Sequence, residues 1–162
     1  MSEAFDDSLD FEEDTLKDKY LTFSIGEECY GIEIRYVIEI IGIQPITEIP
    51  ELPNYVKGII NLRGKIIPVI DVRLRFNKLY REYNDRTCII VISVEDTIVG
   101  LIIDSVSDVI SIQKESIVEP PSVSNSFNNK YISGIGKIGS EVKLLLDTSK
   151  LINSNELENI TE

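Results

Sequence analysis

The chain has no histidine and no tryptophan, one methionine and two cysteines in 162 residues. Without histidine it lacks the commonest general base, the commonest metal ligand and any phosphohistidine chemistry. Its serines and threonines have no imidazole to activate them as nucleophiles. There is no Cys-x-x-Cys pair and no carboxylate cluster at metal-ligand spacing. The glycines match neither a Walker loop nor a dinucleotide fingerprint. The carboxylate pairs Glu27-Glu28 and Glu95-Asp96 fall in expected hairpin turns, where solvated charge explains them. The chain therefore reads as a non-enzyme with no catalytic residue, no metal and no cofactor. No apolar run approaches the roughly 18–20 residues of a membrane span. The N-terminus opens on acids rather than on a basic region and an apolar run, unlike a secretory leader, and a cytoplasmic location is expected. Cys29 (in CYGIEI) and Cys88 (in CIIVI) sit in apolar, strand-like settings and are expected as buried free thiols.

Basic residues are also scarce. Sixteen Lys and Arg face 28 Asp and Glu, a net charge of −12. The excess is concentrated at the ends: residues 1–18 hold eight acids and one base, and residues 151–162 hold three acids and no base. The part between them is close to neutral. No basic face is left for nucleic acid or anionic membrane. Tyr30, Tyr36, Tyr55 and Phe76 are too few, and too far from basic clusters, for a single-strand-binding barrel. Residues 1–18 read as a disordered acidic arm and 153–162 as an acidic tail.

What the chain does have is short apolar runs punctuated by glycine. The central one is Lys57 to Leu74, KGIINLRGKIIPVIDVRL. Arg63-Gly64 is a tight turn between two strands, Gly64 tolerating positive φ. After it, Ile66, Pro68 and Ile70 face one way and Ile67, Val69 and Asp71 the other, so the strand is expected to be buried on both faces. Pro68 cannot donate to a ladder and belongs at a bulge or an unpaired edge. Asp71 suits the N-cap of a short helix.

The same pattern recurs. Tyr55, Gly58 and Asp71 return as Tyr131, Gly134 and Asp147, each 76 positions on. Gly31, Val37 and Glu39 return as Gly100, Val106 and Asp108, each 69 positions on. These matches, in the same order in both halves, argue for an internal duplication, with a first module over about 19–80 and a second over about 85–152.

Hairpins are expected at Tyr20–Ile34 and Thr87–Asp104, and another around Gly139. Ile34–Ile41 fits either helical or strand period, Ile43–Ile49 reads as a strand, and Asn54–Lys57 as a helical turn. Glu119–Lys130, with Pro120-Pro121, reads as a loop. About ten short strands and few helices make an all-β fold, for which closed five-stranded barrels remove exposed edges.

Two residues stand out as contact candidates. Arg63 is presented by a turn. Glu39 is isolated among Val37, Ile38, Ile40 and Ile41, as the polar face of a half-buried element or the charged centre of an apolar contact surface. Gly58 and Gly100 are turn or bulge glycines, or positions of close approach by a partner. Val106 and Val109 are core by default.

The blocks YGIEIRYVIEII, KGIINLRGKIIPVIDVR, VGLIIDSVSDVI and YISGIGKIGSEVKLLLD together resemble the CheW family of chemotaxis coupling proteins. The resemblance runs from about Lys19 to Ile152, and its most specific stretch, NLRG-x-I-x-PVxD from Asn61 to Asp71, is complete. It implies two SH3-like five-stranded β-barrels around a shared hydrophobic core, with short helices. It implies a non-catalytic adaptor between the cytoplasmic tips of methyl-accepting chemoreceptors and the regulatory domain of the histidine kinase CheA. The protein would be a monomer when isolated and be recruited from the cytoplasm to receptor arrays. Carried over, Val37, Gly58, Arg63, Val106 and Val109 would line a receptor groove, with Glu39 and Arg63 as a polar cluster for receptor and kinase contacts. Asn61, Gly64, Pro68, Asp71, Gly100, Gly134 and Asp147 would be structural. The same pattern suits an adaptor of a non-flagellar array. Its rival from another class is a barrel that binds a small ligand between modules.

Overall fold

The computed structural model describes residues 16–120 and 129–152. The expected acidic arm up to residue 15, the acidic tail and the middle of the 119–130 connector lie outside them. The chain runs β1 (Lys19–Ile25), β2 (Glu28–Glu33), β3 (Val37–Gly42), β4 (Val56–Leu62), β5 (Lys65–Asp71), α1 (Val72–Arg75), β6 (Cys88–Val94) and β7 (Thr97–Ile103). It continues with β8 (Ser105–Ser111), β9 (Ile117–Val118), β10 (Ile132–Ile138), β11 (Glu141–Leu146) and α2 (Thr148–Leu151).

Hairpins follow the turn chemistry. Arg63 (φ 52°) and Gly64 (φ 84°) are both left-handed, as are Glu95 (φ 49°) and Asp96 (φ 67°). Two consecutive positive φ values match the right-handed twist of the flanking strands. Asn61 Oδ1 accepts the Gly64 N–H at 2.8 Å and locks the first turn.

The strands form a six-stranded sheet, β8-β1-β2-β11-β10-β9, and a five-stranded sheet, β3-β6-β7-β5-β4. Together they make the all-β, two-barrel fold, the sixth strand being only the two residues of β9. The duplication and the sheets divide the chain differently. Parallel pairing joins β5 to β7 (Val69↔Gly100) and, equivalently, β11 to β2 (Leu145↔Gly31). Each sheet therefore contains strands from both halves of the sequence.

This exchange explains the double-sided apolar strands. Ile90 and Ile92 of β6, and Val99, Leu101 and Ile103 of β7, join Phe23, Ile32, Ile70 and Leu146 in a core shared by both sheets. The alternate residues, Ile89, Val91 and Ile102, pack with Ile60, Ile67 and Val69 inside the five-stranded sheet. Burying each such side chain contributes about 1.5–3 kcal/mol.

Local differences from the expectation have clear causes. Ile34–Tyr36 is a single 3-10 turn, and the strand begins only at Val37. Ile43–Ile49 is not a strand: Pro45 lacks a donor, and only Thr47 bridges to Ile59, through two hydrogen bonds of 2.9 Å. Ile43 and Ile46 instead pack on the five-stranded sheet's inner cluster. Residues 54–55 form a turn, closed by the Val56 N–H donating to Pro53 O, and strand follows at once. Cys29 and Cys88 are free, but half-buried rather than buried, because each lies at a strand end.

Candidate partner-binding site

Along β3 exposure alternates, with Val37, Glu39 and Ile41 turned inward and Ile38, Ile40 and Gly42 outward. The pairing with β6 slips between Val37 and Glu39. Glu39 thus enters the face that Ile41 and Val91 line with hydrocarbon, where a bare carboxylate would be costly. Arg63 resolves this from the β4–β5 turn. Its Nη1 and Nη2 donate to Glu39 Oε1 and Oε2, both at 2.6 Å, a bidentate fork that fixes orientation as well as distance. These hydrogen bonds hold the Glu39 carboxyl below its ordinary value and raise the Arg63 guanidinium. The Arg63 side chain is still 73 % exposed, against 22 % for Glu39. Glu39 is therefore the polar member of a half-buried strand face, its exposed sequence neighbours Ile38 and Ile40 pointing to the other side.

The other candidates divide. Val37 and Val106, on β3 and β8 of different sheets, are half-buried and both pack against the shared core. Val109 is exposed on β8, opposite Leu21 of β1. Gly58 is buried at the β4 bulge with φ 143°, and a Cβ there would lie 2.0 Å from Thr47 O. Its placement is that of a close-packing glycine, not of a surface lining. Gly100 and Gly134 are alike in this, since a Cβ would fall 2.7 Å from Ile89 Cγ2 or from Ile117 Cγ2.

Pro68 is buried, and is the residue before β5 begins its pairing with β7 at Val69. Asp71 accepts the Leu74 N–H at 3.3 Å and the Tyr83 hydroxyl at 2.7 Å. Asp147 accepts the Lys150 N–H at 3.2 Å. The backbone repeats the symmetry, with Asp71 N–H donating to Tyr55 O at 2.7 Å and Asp147 N–H to Tyr131 O at 2.8 Å.

Sequence reasoning named Val109 as a contact residue but missed Ile40, Ile66 and Val142, which are exposed apolar side chains like it. Ile40 and Ile66 are 42 % and 49 % exposed, and their repeat partners Val109 and Val142 are 51 % and 52 % exposed. The offsets of 69 and 76 were the signal, since they equate Ile40 with Val109 and Ile66 with Val142. Among the described residues no group of three or more His, Cys, Asp or Glu could hold a metal ion. No helix among them is long and apolar enough to cross a membrane.

The CheW-like domain family matches residues 19–156. The chain is 37 % identical over 144 residues to the chemotaxis protein CheW of Klebsiella aerogenes, covering 89 % of this chain and 87 % of that one. It is 38 % identical to CheW of Treponema pallidum, covering 86 % and 85 %. The crystal structure of the scaffolding protein TtCheW from Thermoanaerobacter tengcongensis superposes with a TM-score of 0.79 at 38 % identity, covering 86 % of this chain and 96 % of that one. The complete NLRG-to-Asp71 motif, the two exchanged sheets and this likeness over nearly the whole described chain agree: the protein belongs to the CheW-like domain family and is a chemotaxis coupling scaffold.

Proposed function

We propose that this protein is a non-catalytic adaptor that couples the cytoplasmic tips of methyl-accepting chemoreceptors to the regulatory domain of the histidine kinase CheA. The family match over residues 19–156 carries the reading. The Glu39–Arg63 fork supports it by offering a receptor a charge pair of fixed geometry at the sheet rim, with the Arg63 side chain exposed. A receptor helix tip lays apolar side chains beside Val37 and Val106, and the fork sets its register. Each contact is small, and repetition within an array supplies avidity and brings the protein from the cytoplasm to the membrane-associated assembly. Gly58 acts here by holding the Thr47 loop against β4 rather than by touching the receptor.

Affinity capture from cell extract, read by mass spectrometry, tests this. Wild type is expected to recover a histidine kinase and chemoreceptors, and Glu39→Lys or Arg63→Asp to lose one class while remaining folded. Recovery of neither class by wild type at low salt would overturn the proposal.

A further inference from the structure

A second polar site lies away from the Glu39–Arg63 rim. A cleft of about 220 Å³ opens between the 81–87 connector, the start of α1 and the β7–β8 junction, and Ser24, Arg73, Arg81, Arg86, Asp104 and Ser105 are among its lining residues. Its floor is rigid. Arg73 donates through Nε and Nη2 to Asp104 at 3.0 and 2.9 Å, and through Nη1 to Leu79 O at 3.3 Å. Asp104 also accepts the Gly26 N–H at 2.8 Å. Tyr83 is tied to Asp71, and the Asn84 N–H donates to Thr87 Oγ1 at 2.9 Å.

The walls are not satisfied in the same way. Arg81 reaches Asp104 only at 3.5 Å and its side chain is 58 % exposed. The Arg86 side chain has no hydrogen bond or ion pair among the described residues, nor do the Ser24 and Ser105 hydroxyls. Asp71 and Asp104 have their carboxylates occupied by donors of the floor, which leaves Glu82 as the one acid of the lining without such partners. Two guanidiniums and two hydroxyls therefore line one small concavity with donors to spare. Drug-sized ligands need pockets of roughly 300–1,000 Å³, and this cleft is smaller and lined mainly by polar groups. A planar guanidinium with free donors matches an oxyanion above all other groups.

We propose that this cleft binds a phosphate-sized oxyanion, held by Arg81 and Arg86 with help from the Ser24 and Ser105 hydroxyls. Arg81 is the adjustable member. Its long, exposed contact to Asp104 is weak, so turning toward an anion costs little. The site is independent of the coupling function proposed above.

Titration of the full chain with inorganic phosphate, at ionic strength held constant with chloride and followed by amide NMR, tests it. Saturable shifts at Gly26, Thr87 and Ser105 are expected, weakened about tenfold or more in Arg81→Gln/Arg86→Gln. Both arginines are exposed, so that variant should melt like wild type, and exposed Lys137→Gln should bind like wild type. A parallel titration with acetate shows whether a single carboxylate, as on an acidic peptide, suffices or a phosphate group is required. Shifts that do not saturate, or that persist unchanged in the double arginine variant or weaken equally in Lys137→Gln, would overturn the site.

Discussion

The Arg63 guanidinium meets the Glu39 carboxylate with both of its Nη atoms, at 2.6 Å each, across 24 residues of sequence. The pair is a clasp at a sheet rim, its arginine largely exposed and its carboxylate half-buried. Exposed ion pairs add little to stability, so its geometry matters more than its strength. Arg63→Asp is expected to melt like wild type by circular dichroism and to lose receptor capture. A melting midpoint that collapses together with binding would make the arginine structural instead.

Gly58 should behave in the opposite way. A side chain at φ 143°, with a Cβ 2.0 Å from Thr47 O, forces the 46–47 loop off β4. Gly58→Ala is expected to cost about 3 kcal/mol or more in urea unfolding, through backbone strain and the lost Thr47–Ile59 bridge. Loss of receptor binding at unchanged stability would show that Gly58 touches the partner.

Tyr55 and Tyr131, equivalent in the repeat, hold Arg75 between them. Its guanidinium lies 4.1 Å from one ring centroid and 5.1 Å from the other, and its Nε donates to Leu151 O at 3.0 Å. Arg75→Ala is expected to cost about 1–3 kcal/mol by chemical denaturation. The Tyr55 hydroxyl, by contrast, is buried with no hydrogen-bond partner among the described residues. Tyr55→Phe should therefore be neutral or stabilising by up to about 1 kcal/mol. A marked loss of stability on removing that hydroxyl would contradict its lack of a hydrogen-bond partner.

The two caps should differ although the repeat equates them. Asp147→Ala removes a cap bond to Lys150 N–H and should cost about 1 kcal/mol. Asp71→Ala also strands the Tyr83 hydroxyl, whose proton is held more tightly than usual by burial and by the bond to Asp71. It should cost about 2–4 kcal/mol. Equal losses in a urea titration would mean that the Tyr83 bond contributes nothing.

Acid should weaken the fold partly through Asp104. Burial alone would raise its carboxyl, but hydrogen bonds from Arg73 and the Gly26 N–H outweigh that and bring it below the usual range. A depressed native pKa stabilises the fold above the unfolded value of about 4 and loses that contribution as pH falls through the native value. Asp104→Asn is expected to be less stable at neutral pH and to show a shallower acid slope. An unchanged slope would place the acid transition on other carboxylates.

How much of this could be read from the sequence depends on the range of the interaction. The Arg63-Gly64 turn, the Asp71 and Asp147 caps and the double-sided burial of β5 are local, and residue chemistry shows them directly. The strand exchange is not local. Nothing in IIPVID or VGLII says that Val69 pairs with Gly100 rather than with a strand of its own half, because a parallel edge contact carries no turn. Ile43–Ile49 misled because Ile43 and Ile46 are apolar for a different reason: they pad the inner cluster from a loop. Glu39 and Arg63 were each visible as unusual, yet their bond depends on the β3 register slip, which no short pattern encodes.

The coupling reading meets its most direct test in a reconstituted array. Receptor-bearing membranes and CheA are incubated with and without this protein, and kinase autophosphorylation is followed as attractant is added. The account predicts that the protein raises kinase activity, makes it attractant-sensitive, and does neither as Arg63→Asp. Activity that is indifferent to the protein, in membranes where a related CheW restores control, would contradict it.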